Sequence, residues 1–375
     1  MKRSTLSRAA MPAALVLTLV LTACGASNED EPAADATGDA STEETTEETT
    51  ELSGSISGAG ASSQAAAMEA WVAGFNSQFP DVTVSYDPIG SGGGREQFIA
   101  GGTLFGGTDS YFDEEELPLA QERCGGDLIE VPVYISPIAV AFNLEGVDEL
   151  NLGPAEIAGI FAQEITTWND PAIAKINPDA DLPDTAITPV NRSDESGTTE
   201  NFVEYLAATA PDVWTYEVSG VWPVKGGEAA QGTSGVVGAI EGGDGTIGYA
   251  DASQVGELSV AKVGVGEEFI EYSPEAAAAV LEASTKVEGR GASSFAYDLA
   301  RDTTESGTYP IVLVSYAMAC PAYETQEEAD LVKAFIGYIV SEEGQATAAE
   351  SAGAAPIPDA LRTEIEPVIE AITAG

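Results

Sequence analysis

The chain has 375 residues, with 14 Lys+Arg against 62 Asp+Glu for a formal net charge of −48, and it contains no histidine. A surface this acidic cannot neutralise a phosphodiester backbone, which excludes nucleic acid as a partner; without histidine there is no Ser-His-Asp or Cys-His machinery, no imidazole base and no His-bound zinc. The length suits about two domains, and 44% hydrophobic with 20% charged residues suits a chain that folds around cores.

Residues 1–24 combine a basic start (Lys2, Arg3, Arg8), an apolar stretch from Ala9 to Ala23 and a cysteine, Cys24. This is the layout of an export signal, and its apolar run is shorter than the roughly 20 residues a membrane span needs. Leu21-Thr22-Ala23-Cys24 resembles a bacterial lipobox. Cleavage before Cys24 would make it the lipid-bearing N-terminus, and two acyl chains are what stable anchoring requires. Residues 25–54 hold ten acids, no basic residue and no aromatic, so they cannot bury enough to fold. The expectation is a flexible acidic spacer reaching roughly 30 Å.

The folded part begins near residue 55 and alternates strand-like and helix-like runs, the pattern of an α/β protein. The spacing of Met68, Trp71, Val72, Phe75 and Phe79 predicts an amphipathic helix over Ala65–Phe79, and Val82–Tyr86 alternates as a strand. Further strands are expected at 128–133, 138–143, 187–190, 246–250 and 311–316. Further helices are expected at 94–100, 154–161, 199–208, 236–241, 274–283, 292–300 and 327–340. Setting aside Cys24, Cys124 and Cys320 form an even pair in an oxidising compartment, which predicts one disulfide between them.

Three segments share one grammar of strand, small-residue turn and helix: Ser57–Gln64, Ile89–Gly94 and Arg192–Thr199. Free backbone N–H groups at a helix start favour an anion, although a single Ser or Thr there is commonly an ordinary N-cap. Arg192 stands out because the chain after the signal holds only 14 − 3 = 11 basic residues. A guanidinium beside hydroxyls can grip an oxyanion with two parallel hydrogen bonds, or it can pair with a surface carboxylate. Asp194 could orient Arg192 or cap a helix. Asp109, in Gly106-Gly107-Thr108-Asp109-Ser110, reads by itself as a turn residue.

In this order, the segments Gly58–Ser63, Tyr86–Asp109, Ile165–Leu206 and Gly245–Tyr249 resemble the phosphate-binding protein of the bacterial high-affinity phosphate ABC transporter. The resemblance implies an α/β fold of two lobes, a type II venus-flytrap with the ligand in the interlobe cleft. Lobe I would comprise 55–136 and 253–375, lobe II 137–252, which places Cys124 and Cys320 in the same lobe. The implied phosphate ligands are Ser62, Ser63, Ser91, Asp109, Arg192, Ser196, Gly197 and Thr198. Asp109 takes the position that accepts a hydrogen bond from a protonated phosphate oxygen, whereas sulfate has no proton to offer and is repelled. For that role Asp109 must be ionised.

Where the family usually carries glycine after the acid of the third motif, this chain has Glu195, which is expected to point outward. Ser63 stands where an aromatic is common, and the segment around Asp109 reads GGTDSYF where the family more commonly carries an alanine or serine. The implied partners are inorganic phosphate, the permease subunits with their ATPase, and the membrane through the lipid anchor; the expectation is a monomer with no cofactor, no metal and no catalytic residue. A charge of 11 − 62 = −51 after signal removal repels phosphate at long range, so binding has to come from short, desolvated hydrogen bonds inside the screening length of roughly 8–10 Å. The charge itself is read as a solubility device suited to a salty habitat. Competing readings are another tetrahedral oxyanion such as sulfate or a phosphonate, a phosphate sensor without transport, and a phosphatase using Ser91 or Ser196, which would lack a base.

Overall fold

The computed structural model describes residues 52–375. The export signal, Cys24 and all of the acidic spacer up to Glu51 lie outside the described residues. In chain order, β1 (Gly54–Gly60), α1 (Ala65–Gln78), β2 (Val82–Asp87), α2 (Ser91–Ile99) and β3 (Phe105–Thr108) form the first group, followed by α3 (Glu116–Arg123). The long β4 (Ile129–Asn143) leads into β5 (Asn151–Leu152), α4 (Pro154–Phe161), α5 (Pro171–Ile176), β6 (Thr188–Arg192), α6 (Gly197–Thr209), β7 (Glu228–Ala230), α7 (Gly232–Gly242) and β8 (Thr246–Asp251). After a 3-10 turn at Ala252–Gln254 come β9 (Ser259–Val260), β10 (Lys262–Val265), β11 (Glu268–Ile270), α8 (Pro274–Glu282), β12 (Thr285–Lys286) and β13 (Tyr297–Asp298). The chain ends with β14 (Val312–Ala319), β15 (Ala322–Tyr323), α9 (Gln326–Val340), α10 (Glu342–Ala352), α11 (Asp359–Glu370) and β16 (Thr373–Ala374).

A nine-stranded sheet runs β2-β1-β3-β14-β4-β8-β6-β7, with β9 also on β4. β1 is parallel to β2 and β3, so its crossover helices α1 and α2 both start at the carboxyl edge of the sheet. β4 belongs to both halves: Ile129–Pro137 pairs with β14, and Ile138–Asn143 pairs with β8. This antiparallel strand, buried along nearly its whole length, is the element through which the first half continues into the second.

Apolar periodicity accounts for the packing of the first half. Helix α1 buries Ala67, Met68, Trp71 and Phe75, and the Trp71 indole donates to the Gly344 carbonyl at 2.7 Å. The predicted disulfide is present: Cys124 at the end of α3 is bonded to Cys320 just past β14, with Cα atoms 5.0 Å apart. Closing a span of 196 positions stabilises the fold by roughly 5 kcal/mol in the chain-entropy account.

Two expectations are corrected. The strands expected at 128–133 and 138–143 are one strand, because Tyr134–Pro137 continues the ladder with β14. The helix expected at 292–300 is absent: Glu130 N–H donates to the Ser293 carbonyl and Phe295 N–H to the Glu130 carbonyl, while Ser294 Oγ and Arg290 both bond the buried Glu130 carboxylate. Backbone and side-chain bonds to β4 take the groups that a helical turn would use. Three helices also start earlier than their apolar residues suggest, at Ser91, Gly197 and Gly232, because glycine and serine form their first turns.

Candidate anion site at the sheet edge

The carboxyl ends of β1 and β3 and the start of α2 bring Ser63, Ser91 and Asp109 together, in the crevice where open α/β sheets hold ligands. Close approach of the backbones makes this possible. Gly60 has φ +149°, and a Cβ there would sit 1.8 Å from the Gly107 carbonyl oxygen. Ala61 N–H then donates to that same oxygen at 2.9 Å, pulling the serine turn over Asp109. Ser91 Oγ accepts from the Asp109 N–H at 3.1 Å.

Asp109 is buried and bonded from three elements. Ser63 Oγ donates to Oδ1 at 2.6 Å, Ser315 Oγ of β14 to Oδ1 at 2.5 Å, and Thr198 Oγ1 of α6 to Oδ2 at 3.0 Å. Asn201 Nδ2 also donates to its carbonyl at 2.7 Å. Burial raises the Asp109 pKa, and the three hydroxyls and the Arg192 charge oppose that rise. Gly197 stands directly against this group, since a Cβ there would lie 2.6 Å from Ser91 Oγ. The two halves of the molecule therefore meet at Asp109.

From the second half, Arg192 ends β6, buried, with Nε on Asp194 Oδ1 at 2.9 Å and Nη2 on Oδ2 at 2.5 Å. Of the alternatives open from sequence, Asp194 orients Arg192, and Gly232 N–H fixes it at 3.0 Å. Burial works against ionisation of Asp194, but the Arg192 hydrogen bonds and charge and the Gly232 N–H outweigh it and lower its pKa. Ser196 is the N-cap of α6, accepting from Thr199 N–H at 3.2 Å. Thr199 Oγ1 in turn meets Tyr249 Oη at 2.7 Å, which ties the α6 turn to β8.

Ser62 is turned away from Asp109: its Oγ meets Thr233 Oγ1 at 3.0 Å and accepts from Thr233 N–H at 3.1 Å. Glu195 does not simply point outward. Its carboxylate accepts from Arg95 Nη2 at 3.0 Å, with the glutamate side chain 44% exposed. The extra charge near the anion turn is thus paired by a buried arginine whose Nη1 also holds Thr108 and Ser110, the two neighbours of Asp109. Ser315, Arg95, Thr233, Asn201 and Gln254 were missed by motif reading. Gln254 Nε2 donates to the carbonyls of Ser62 and Ser63 at 2.9 and 3.1 Å. Only Ser315 carried a signal, as a polar residue inside the apolar run Ile311–Ala319.

A cavity of about 340 Å³ borders Asp109, lined also by Tyr111, Glu200, Arg290, Arg301 and Tyr316. Arg301 closes one side by bonding Asn201 and Glu204 of α6.

Residues 40–343 match the model of the PBP superfamily domain. The phosphate-binding protein PstS 3 of Mycobacterium leprae is 33% identical over 322 residues, covering 83% of this chain and 85% of the relative. The chain belongs to this PstS family of the PBP superfamily. A second relative, phosphate-binding protein PstS2 of Mycobacterium bovis, is 32% identical over 371 residues, 95% of this chain and 96% of its own length. Among solved structures, the periplasmic phosphate-binding protein PfluDING bound with phosphate aligns with a TM-score of 0.70 at 21% identity, over 84% of this chain and 93% of that one. The substrate-binding protein of a phosphate ABC transporter from Clostridium perfringens, with bound phosphate, aligns with a TM-score of 0.57 at 23% identity, over 80% of this chain and 98% of that one. The PstS family fold, two lobes on a mixed sheet with a cleft between them, is the fold seen here.

Proposed function

We propose that this PstS-family chain binds inorganic phosphate between its two halves, outside the cytoplasmic membrane, and delivers it to an ABC permease whose ATPase subunits supply the energy. The observation that carries the reading is the buried Asp109 carboxylate, ringed by hydroxyls from both halves and within the field of Arg192. A monoprotonated phosphate presents one O–H and several charged oxygens. Asp109 takes the O–H. Arg192, Ser62, Ser63, Ser91, Ser196, Thr198 and the N–H groups at Gly197 and Thr198 hold the rest, with hydroxyl rotors turning from their present partners to the anion. Sulfate at neutral pH has no proton for Asp109, so the carboxylate that welcomes phosphate repels it.

The finer assignments extend this reading. The lobes divide at Ser136/Pro137, one residue before β4 changes partner from β14 to β8, and the return lies after Ala252. Lobe I takes 55–136 and 253–375, and lobe II 137–252, with β9 and β10 reaching over onto β4 and β5. Cys24 carries the lipid, residues 25–53 form the tether, since Gly54 already pairs with Val82 in the sheet, and the protein works as a monomer without catalytic activity. Calorimetric titration of the ligand-free chain with phosphate and then sulfate at pH 7.5 tests the function. Saturable one-to-one phosphate binding with sulfate silent is expected; sulfate binding alone, or neither, would refute it.

A further inference from the structure

Ser315 lies in the middle of β14, fully buried, and it reaches Asp109 from the sheet rather than from a cleft turn. β14 is bonded on one side to β3 and on the other to β4. Its register with β4 slips between Ser315 and Tyr316, an irregularity of the kind that re-aims a side chain. The result is a hydroxyl 2.5 Å from Asp109 Oδ1.

A hydroxyl has one proton to give. Ser63 and Thr198 also donate to Asp109, but on the reading above both turn to phosphate when it enters. Ser315 is then the hydroxyl that stays with the carboxylate. The charged and titratable groups around Asp109 do not substitute for it. Arg192 of β6 is hydrogen-bonded to Asp194, and Arg95 of α2 is committed to Glu116, Glu195, Thr108 and Ser110. Tyr86 of β2 donates to the Ala61 carbonyl at 3.1 Å. Glu200 of α6 lines the neighbouring cavity with Asp109 and adds negative charge.

We infer that Ser315 is a positioning residue for selectivity: it pins Asp109 Oδ1 in the occupied cleft, so that the carboxylate stays an acceptor and offers Oδ2 to the protonated oxygen of phosphate. The inference rests on the assignment of Asp109 as acceptor of the ligand's proton. Without Ser315, Asp109 gains a proton at higher pH. A protonated Asp109 is a donor, and a donor accepts sulfate.

The test measures phosphate and sulfate affinity from pH 5 to 8.5 on the full chain in detergent, for wild type, Ser315→Ala, Ser315→Cys, Ser315→Thr and Asp109→Asn. In Ser315→Ala the pH at which sulfate binding appears should rise by about one to two units, the effect of losing one hydrogen bond to a charged group. Ser315→Cys, of similar volume but a weak donor, should move the same way, and Ser315→Thr should restore the wild-type profile. Should the alanine variant not fold, the cysteine and threonine variants decide. An unchanged sulfate onset in folded Ser315→Ala or Ser315→Cys, with Asp109→Asn losing discrimination, would overturn the role of Ser315 alone. Asp109→Asn keeping full discrimination would overturn the assignment of Asp109 beneath it.

Discussion

The two sides of the cleft treat their carboxylates, Asp109 buried and Asp194 half-buried, in opposite ways. On the first, the Asp109 carboxylate is hydrogen-bonded by the neutral hydroxyls of Ser63, Thr198 and Ser315, and burial moves its pKa up. On the second, Asp194 grips the Arg192 guanidinium, and its pKa moves down despite burial. The difference teaches that neutral donors steer a carboxylate without fixing its charge, while a cation fixes it. One side is then suited to sensing whether a ligand carries a proton. The other is suited to holding a positive charge still.

Removing the fixed cation should have the largest effect. Arg192→Ala is expected to weaken phosphate binding by about 3–5 kcal/mol, because a buried anion and Asp194 are both left without their counter-charge; calorimetry showing a loss below about 1 kcal/mol would place Arg192 at the rim.

Asp251 extends the comparison to a third carboxylate with neutral donors alone. It accepts from Tyr134 at 3.0 Å and from Ser253 N–H and Oγ at 3.0 and 2.5 Å, while its Oδ2 has no partner among the described residues. Burial raises its pKa from 3.8 to about 6. Between those values the folded protein binds more proton than the unfolded chain, so this group makes stability rise as pH falls from about 6 to about 4, by roughly 3 kcal/mol in total. The increment is fully present below the unfolded value of 3.8 and lost above the folded one. Denaturant titrations of wild type and Asp251→Asn across pH 4–8 should differ by that amount in their pH dependence. Parallel curves would mean the carboxylate is solvated.

Asp109→Asn probes the sensing side directly. It should keep the fold, reduce phosphate affinity by about 1–3 kcal/mol and admit sulfate, since an amide can donate where the carboxylate could only accept. Selectivity unchanged by the substitution would move the sensing role elsewhere. The smallest effect is expected from Glu195→Gln. Its pair with Arg95 bridges the two halves, but a side chain 44% exposed contributes only about 0–1 kcal/mol. Phosphate affinity should therefore fall less than about fivefold, and a larger loss would promote the bridge to a principal closing contact.

Much of this was legible because it sits in contiguous motifs. The Ser62-Ser63 turn, Ser91, Asp109 and the Arg192–Thr198 segment each lie at a strand or helix end, where small residues, glycines and a rare arginine mark the chain. The Cys124–Cys320 bond was legible from cysteine arithmetic alone. Ser315, Thr233 and Arg95 were not, because each reaches its partner through tertiary structure: 206 positions separate Ser315 from Asp109 and 171 separate Thr233 from Ser62. The 292–300 segment failed for the same reason. A helix was expected there, but Glu130 on a distant strand takes its backbone and Ser294. Glu195 was read from its charge alone, and the cation that pairs with it, Arg95, stands 100 positions away.

The most direct test of the account is a crystal structure of the chain with phosphate bound. The account predicts one ligand oxygen within hydrogen-bond distance of the Asp109 carboxylate, Arg192 on the opposite oxygens with Asp194 still behind it, and Ser315 still on Asp109. Phosphate bound outside the β1–β3 and α6 turns, or within them but with Asp109 turned away, would contradict it.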